Sequence, residues 1–432
     1  MGLGRKLALV AGAAAIAITT VATTATAQQK VTGPVAVYWM SAQTQTGFGM
    51  PSMGAGGGGR PDTGAMMRAM MGGGGASKTL QLDLGSSQTN GAPAADHLPP
   101  SGLQVGQRLP LLTPKIEPVQ REEKYDNVPE EYRKPKGRML IFWGCGEHAR
   151  PGQPYVIDFA KMADGKQNPA NMFRGIDYRP MQPPSPARNR TYGEWPNKET
   201  RDMVPSGGSL IGAHTIRGNY SPEINFSLNE DQDFLSALNL TSNSKAPGGW
   251  VNLGWNLVGN AEAYYASAIG GGGADDTVVM WSSSEVQTSA FSNPDFLSPG
   301  DIARLVANKT LMGPATKTCA VPKEVLDAAP SAMLQLVAYG GEANFVYPPR
   351  PSDPKIAWNQ QWAVKVRYRS ATGGILGQDM SEMMGGRGRQ AGGMPGGQPQ
   401  PGGQPGKPPK APSAADILRQ GILGGGLPFP RR

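Results

Sequence analysis

Three short apolar runs separated by two turns fill residues 250–285, and this stretch constrains the fold more than any other part of the chain. Val251, Leu253 and Trp255 alternate with polar or small residues; a second run covers residues 261–269, and a third covers residues 277–281 beyond four glycines. Alternation with a period of two is typical of a strand with one buried face. The stretch therefore predicts three strands and a mainly β protein around them.

Further strand-like runs occur on both sides of this stretch. They cover residues 31–40, 78–84, 138–143, 153–159, 209–216, 223–228, 234–240, 333–339 and 362–368. Since the run at 78–84 alternates cleanly, we expect it to pair with the run at 31–40. Several of the later runs are spaced by about 8–12 residues, which is typical of a β-sandwich. Residues 298–329 change period, because Ser298 and Pro299 form a helix start and a second short helix follows.

Glycine and proline account for 60 and 40 of the 432 residues, and they are concentrated in three segments. Residues 47–76 hold 12 Gly and 6 Met, residues 92–136 are rich in proline, and residues 386–432 form a basic Gly/Pro tail. The first and last segments lack the apolar side chains that offset the entropy lost on ordering, so we expect them to be disordered. We expect the proline-rich segment to be an extended linker.

The remaining sequence predicts two folded regions. Residues 28–200 form an N-terminal β-rich region, and residues 205–372 form a C-terminal β-sandwich with the helical insert 298–329. The boundary is expected in the polar, proline-rich stretch that precedes residue 205.

The first 27 residues have the pattern of a cleaved secretory signal peptide. Arg5 and Lys6 precede an apolar run over residues 7–18, and residues 25–27 (ATA) match a small-residue cleavage site. The apolar run is shorter than the roughly 20 residues that span a bilayer, and no later stretch is long and apolar enough. We therefore predict a periplasmic or secreted protein whose mature chain has no transmembrane segment.

The basic residues that give the chain its net charge of +8 lie near its two ends. Two positive charges lie in the signal peptide, and residues 386–432 hold seven basic residues against one acidic residue. The region between, residues 28–385, has 32 residues of each sign. This distribution argues against a nucleic-acid-binding face and favours a tail that tethers the protein to an acidic surface or partner.

The chain has two cysteines, Cys145 and Cys319. Because paired thiols in an oxidising compartment usually form a disulfide, we predict a bond between them. Closing so long a loop is worth about 4–5 kcal/mol in the chain-entropy treatment.

The segment around Trp255 also resembles a known type of domain. The order of Trp255 at a strand end, a turn at residues 257–259 and a tyrosine pair at Tyr264 and Tyr265 resembles the B and C strands of fibronectin type III domains. Extended over residues 205–372, the resemblance implies an Ig-like sandwich, from which the helical insert departs.

A second resemblance rests on two short segments. Residues 143–154 (WGCGEHARPGQP) and 278–285 (VVMWSSSE) are similar to a family of exported alphaproteobacterial proteins of unknown function. This family supplies no catalytic residues.

Chemistry-bearing residues are sparse in the sequence. Met66, Met67, Met70 and Met71 offer thioethers, which bind Cu(I), so a periplasmic copper-binding segment is one hypothesis. A sticky methionine surface or plain low-complexity sequence is the other interpretation. Trp195 lies in a polar context and is the aromatic residue expected to make an exposed binding contact, for example with a glycan.

No catalytic residues are identified. The three histidines, His97, His148 and His214, are dispersed in the sequence, and no nucleophile motif accompanies them. We therefore expect a non-enzymatic, exported interaction protein whose partner is a cell-envelope component or another protein. The alternatives are a periplasmic copper-binding protein without any other cofactor and a glycan-binding module.

Overall fold

A computed structural model describes residues 29–47, 75–115, 137–168, 181–197, 199–200, 203–272, 276–288 and 295–378. The predicted signal peptide and the basic tail lie outside these residues, as does nearly all of the Gly/Met segment. In the described part of the chain the protein is mainly β, as predicted.

A nine-stranded sheet is the central element of the fold. In spatial order its strands are β7 (Tyr155–Asp158), β6 (Arg138–Trp143), β14 (Thr277–Ser282), β13 (Ala261–Gly272), β16 (Met333–Tyr347), β18 (Trp362–Ile375), β2 (Ala36–Gln45), β3 (Ser77–Ser86) and β8 (Thr191–Trp195). Two neighbouring pairs, β14/β6 and β18/β2, are parallel, and the other pairs are antiparallel. The predicted pairing of the run at 31–40 with the run at 78–84 is confirmed by β2 and β3.

Three smaller sheets make up the rest of the β structure in the part of the chain that the structure describes. The four-stranded sheet has the order β10 (Ile224–Leu228), β9 (Gly212–Gly218), β4 (Ala95–Leu98) and β5 (Leu109–Pro110). The three-stranded sheet has the order β11 (Leu240–Lys245), β12 (Val251–Trp255) and β15 (Thr318–Val321). A parallel pair joins β1 (Val31–Thr32) to β17 (Trp358–Asn359).

In the described residues three short α-helices lie between the strands: α1 (Phe159–Ala163), α2 (Pro299–Ala307) and α3 (Lys323–Ala328). The predicted helix start is confirmed at α2, where Ser298 is the N-cap and its side chain accepts a hydrogen bond from the Asp301 backbone N–H. In the described residues no helix is long and apolar enough to cross a membrane.

The two faces of the nine-stranded sheet pack against different elements. The inner face packs against the four- and three-stranded sheets in one large core that includes Tyr38, Leu82, Val366 and Trp281. On the outer face, α2 covers an apolar patch of β13 and β16, and α1 covers one of β6 and β14. The outer side chains of β18, β2, β3 and β8 are largely polar instead.

Three sequence-based expectations need correction. Residues 234–239 form no strand, and β11 begins only at Leu240. The expected linker 92–136 contains β4 and β5, which are too short to show a hydrophobic period, and the proline of β5 is tolerated because β5 is an edge strand. The expected boundary before residue 205 does not divide the nine-stranded sheet, since β2, β3, β6, β7 and β8 share it with strands from the C-terminal half.

Candidate ligand-binding face of the nine-stranded sheet

Polar side chains form rows across the outer face of the nine-stranded sheet. Cross-strand pairing aligns one row, consisting of Asn344, Lys365, Trp39, Asp83 and Glu194. The adjacent row consists of Glu342, Arg367, Ser41 and Gln81. Paired residues project from the same side of a sheet, so these side chains share one surface. We call these nine residues, together with Tyr192, the polar face.

A β-bulge in β16 places Glu342 in this surface. The pairing of β16 with β18 shifts between Tyr339 and Glu342, which are partners of Arg369 and Arg367. The extra residue in β16 lets Tyr339 and Glu342 face the same side although they are an odd number of residues apart. Two small residues, Gly340 and Gly341, form the bulge. Without the bulge, Glu342 would point into the apolar core.

Arg367 lies in an aromatic slot at the centre of the polar face. Its guanidinium carbon is 5.0 Å from the ring centroid of Trp39 and 4.3 Å from that of Phe296, which belongs to the segment leading into α2. The Nε–H group donates a hydrogen bond of 2.8 Å to Ser41 Oγ. Burial lowers the pKa of Arg367 to about 10, while the charges of Asp83 and Asp295 act in the opposite direction. The side chain is therefore cationic at neutral pH.

The other two basic residues of β18 have carboxylate partners. Lys365 forms an ion pair with Glu342, and Arg369 forms one with Asp295 at 2.9 Å. Among the described residues no carboxylate lies within ion-pair distance of Arg367. Arg367 is thus the one cation of this strand without an acidic partner in the described part of the chain.

A phenol between two carboxyl groups forms the edge of the polar face. Asp83 and Glu194 are direct cross-strand partners, and the Tyr192 hydroxyl lies 2.7 Å from Asp83 Oδ1 and 2.9 Å from Glu194 Oε2. Burial is the main cause that raises the pKa of both carboxyl groups, and for Glu194 the charge of Asp83 adds to it. One hydroxyl proton serves only one carboxylate at a time, so the pair is most stable when it holds an additional proton.

On the inner face, two histidines that are distant in sequence lie in contact. His97 Nε2 is 2.9 Å from His214 Nδ1, and His97 Nδ1 is 2.8 Å from the Tyr38 hydroxyl. His214 Nε2 is 2.7 Å from the Leu210 carbonyl oxygen. The fold therefore brings together two histidines that are 117 residues apart in the sequence. We call these groups the histidine chain.

The carbonyl oxygen fixes the proton positions in the histidine chain. Because it only accepts, His214 Nε2 carries a hydrogen, and a neutral His214 then accepts at Nδ1. His97 donates from Nε2 and accepts at Nδ1, so the Tyr38 hydroxyl donates. Every ring nitrogen has a partner while both rings are neutral. Burial accordingly lowers the pKa of His97 well below its usual value and that of His214 to about 4. With exposures of 0% and 1%, the rings are structural groups and cannot contact a ligand.

The structure confirms the predicted disulfide and does not describe the predicted copper ligands. Cys145 and Cys319 lie in a disulfide with a Cα–Cα distance of 5.3 Å, as predicted, and the bond joins the end of β6 to β15. Met66, Met67, Met70 and Met71 lie outside the described residues, so the copper hypothesis stays a prediction.

Trp195 is not an exposed contact residue. It lies in edge strand β8 opposite Leu82, and only 1% of it is exposed. Its polar sequence context is misleading because β8 has only five residues, and Trp195 points to the inner face. The indole Nε1–H has no hydrogen-bond partner in the part of the chain that the structure describes.

Comparison with known proteins gives no match: no family model, no curated protein and no solved structure is similar to this chain. The resemblances to fibronectin type III domains and to exported alphaproteobacterial proteins therefore stay predictions. Among the described residues, no group of three or more His, Cys, Asp or Glu side chains is arranged to hold a metal ion.

Proposed function

We propose that this chain is an exported, non-enzymatic binding protein and that its polar face binds a carbohydrate of the cell envelope. The observation that carries the proposal is the row of five partners across β16, β18, β2, β3 and β8, in which a partly exposed indole, Trp39, lies between a cation and a carboxyl group. The sheet supplies a rigid support for these side chains.

The composition of the polar face suits a sugar. A sugar ring offers an apolar C–H surface, which packs on an aromatic ring, and hydroxyl groups that both donate and accept hydrogen bonds. Trp39 supplies the aromatic ring, and Gln81, Asn344, Glu194 and Arg367 supply planar donor and acceptor groups around it. A few well-placed polar groups around an aromatic surface are typical of small-molecule sites.

Glycoside hydrolysis is the second candidate, because Asp83 and Glu194 form a carboxyl pair. Retaining glycosidases hold their two carboxyl groups about 5–5.5 Å apart, with the scissile bond between them. Here the Tyr192 hydroxyl contacts both carboxyl groups and fills the space in which that bond would lie. Asp83 is also only 5% exposed. The arrangement therefore favours binding over hydrolysis.

Affinity electrophoresis tests the proposal. The protein is run in native gels that contain soluble envelope polysaccharides or none, and retardation measures binding. We expect the wild-type protein to be retarded and Trp39→Ala to migrate as if no polysaccharide were present. Trp250→Ala, which removes another partly exposed indole from outside the polar face, is the matched control and should bind like the wild-type protein. Equal retardation of both variants would exclude the polar face.

The basic tail, residues 386–432, is a separate part of the proposal, in which it tethers the protein to an acidic surface. Co-sedimentation with isolated cell envelopes, at low and high salt, compares the full chain with a chain that ends at Gly385. If the tail is an electrostatic tether, only the full chain pellets and salt releases it. Pelleting of both chains regardless of salt would place the binding in the folded part.

A further inference from the structure

We propose that the ligand of the polar face is an acidic saccharide and that Arg367 binds its carboxylate. The inference rests on the proposed function and names the class of sugar. Within β18, Lys365 is neutralised by Glu342, and Arg369 is neutralised by Asp295. Arg367, in contrast, donates its one side-chain hydrogen bond among the described residues to the neutral Ser41 hydroxyl. A partly buried cation that has no carboxylate within ion-pair distance among the described residues is suited to an external anion.

The orientation of Arg367 is fixed before a ligand arrives. The hydrogen bond from Nε to Ser41 and the rings of Trp39 and Phe296 hold the guanidinium plane. The two terminal nitrogens, Nη1 and Nη2, have no acceptor among the described residues, and they present parallel N–H groups. This is the fork that binds a carboxylate in bidentate fashion. Little side-chain entropy remains to be lost on binding.

The charges around the slot favour a singly charged anion. Asp83 and Asp295 both act electrostatically on Arg367. A phosphate ester or a heavily sulfated chain brings more negative charge close to these groups than one carboxylate does.

A neighbouring acceptor also lacks a partner. Glu342, the cross-strand partner of Arg367, has a side chain that is only 4% exposed, and its Oε1 atom accepts no hydrogen bond from any described residue. The other oxygen pairs with Lys365, a flexible side chain that is 22% exposed. Movement of Lys365 would open Oε1 to a ligand hydroxyl. A uronic acid carries both a carboxylate and adjacent hydroxyl groups, so it can satisfy Arg367 and Glu342 together.

Binding to polygalacturonate and to its fully methyl-esterified form tests the proposal, because the two polymers differ in the carboxylate. We expect the wild-type protein to bind the acid form about 10- to 100-fold more tightly, the scale of a charge-assisted hydrogen-bonded pair. Arg367→Gln should abolish this preference and keep the weaker binding to the ester. Arg367→Lys should lose most of the preference, because lysine retains the charge and loses the bidentate geometry.

Two controls distinguish a failure of the acidic-saccharide inference from a failure of the proposed glycan binding. Arg350→Gln changes another arginine that lies 5.6 Å from a tryptophan ring, that of Trp358, and it should keep the full preference. If the wild-type protein binds neither polymer, the proposed function itself fails.

Three results would overturn the inference and leave glycan binding intact. These are equal affinity for both polymers, an unchanged preference in Arg367→Gln, and equal or tighter binding of dextran sulfate. Phe296→Ala opens the slot and keeps the charge, so it serves as a second variant if Arg367→Gln proves unstable. It should reduce the preference for the acid form.

Discussion

The histidine chain packs against the inner face of the nine-stranded sheet and the polar face is on the outer side, and the two differ in which hydrogen-bonding groups are left unpaired. In the histidine chain, four groups form three hydrogen bonds, and each ring nitrogen has a partner. On the polar face, Arg367 keeps terminal N–H groups without a described acceptor, and Glu342 keeps an acceptor without a donor among the described residues. A fully paired polar group contributes to stability, whereas an unpaired one next to solvent is available for a ligand.

This difference distinguishes polar residues with a structural role from polar residues that we propose to bind a ligand. Histidines are common catalytic and metal-binding residues, yet here His97 and His214 are buried in the core. Arginine in a strand is easily taken for a solvated residue, yet Arg367 is the group whose bonding is incomplete. A hydrogen-bonding group that is both unpaired and partly exposed is therefore more informative than the type of residue, since the indole N–H of Trp195 is also unpaired among the described residues but is buried in the core.

The largest expected effect is on the stability of a histidine-chain variant. His97→Ala leaves the Tyr38 hydroxyl and His214 Nδ1 buried without partners, each costing about 1–3 kcal/mol, so we expect the free energy of unfolding to fall by about 3–5 kcal/mol. Arg367→Gln should lower it by less, about 1 kcal/mol, because this substitution removes one hydrogen bond, to the Ser41 hydroxyl, and leaves no buried ring nitrogen unpaired. Urea unfolding measures both. Similar losses for the two variants would break the distinction between the regions.

Acid should destabilise the protein through the histidine chain. Unfolded histidines bind a proton near pH 6.5, whereas in the folded state the pKa of His214 is about 4 and that of His97 is well below its usual value. The unfolded state therefore binds more protons in this window, and stability falls as the pH drops from about 6.5 towards 4. The loss approaches about 1.4 kcal/mol per pH unit for each histidine.

Urea midpoints at pH 7.5 and pH 5.0 measure this effect. His148→Ala removes the exposed histidine that pairs with Glu324, and this variant should still lose stability between pH 7.5 and pH 5.0, because both buried rings remain. His97→Ala should show a smaller pH dependence, because one of the two buried rings is absent. A wild-type midpoint that is equal at the two pH values would contradict the neutral histidine chain.

Asp83, at the edge of the polar face, is expected to have a smaller effect on stability, and the dependence of this effect on pH has the opposite sign. The folded state raises the pKa of Asp83, so it binds more protons than the unfolded state, and the contribution of this group falls as the pH rises. Asp83→Asn removes the buried charge and keeps a group that accepts from Tyr192. We expect a gain of roughly 1 kcal/mol at pH 8, the scale of a typical single substitution, and a smaller gain at pH 5.

Thermal unfolding at the two pH values tests this prediction. The matched control is Asp327→Asn, which neutralises an exposed carboxylate that pairs with Lys323 in α3. Its effect on the midpoint should be small and similar at both pH values. A loss of stability in Asp83→Asn at pH 8 would mean that the carboxylate is better stabilised by its neighbours than its burial implies.

Local patterns in the sequence are sufficient for part of the fold. Alternation locates β12, β13 and β14, the Ser298–Pro299 pair locates α2, and two cysteines in a predicted exported chain indicate the disulfide. The alternation of Lys365 and Arg367 with Val364 and Val366 is also visible. It indicates a strand with one polar side, and it does not indicate which strands lie beside it.

The candidate site depends on pairing between distant segments, which no local pattern encodes. Ser41 and Arg367 are 326 residues apart in sequence, and His97 and His214 are 117 residues apart. The position of Glu342 depends on a bulge at two glycines that, in the sequence alone, indicate the end of a strand. The burial of Trp195 is equally hidden, because five residues are too few to show which side of a strand is buried.

The parallel pairing of β2 with β18 has a consequence for the order in which the protein folds. Ala36 pairs with Trp362. The strand β2 is therefore synthesised long before its partner β18. While the chain is being synthesised, β2 can pair with β3 on one side only, and its other edge remains open to strands of other molecules. Contacts at such separations also slow folding. Nascent chains that stop before residue 362 are therefore expected to aggregate unless a chaperone covers this edge.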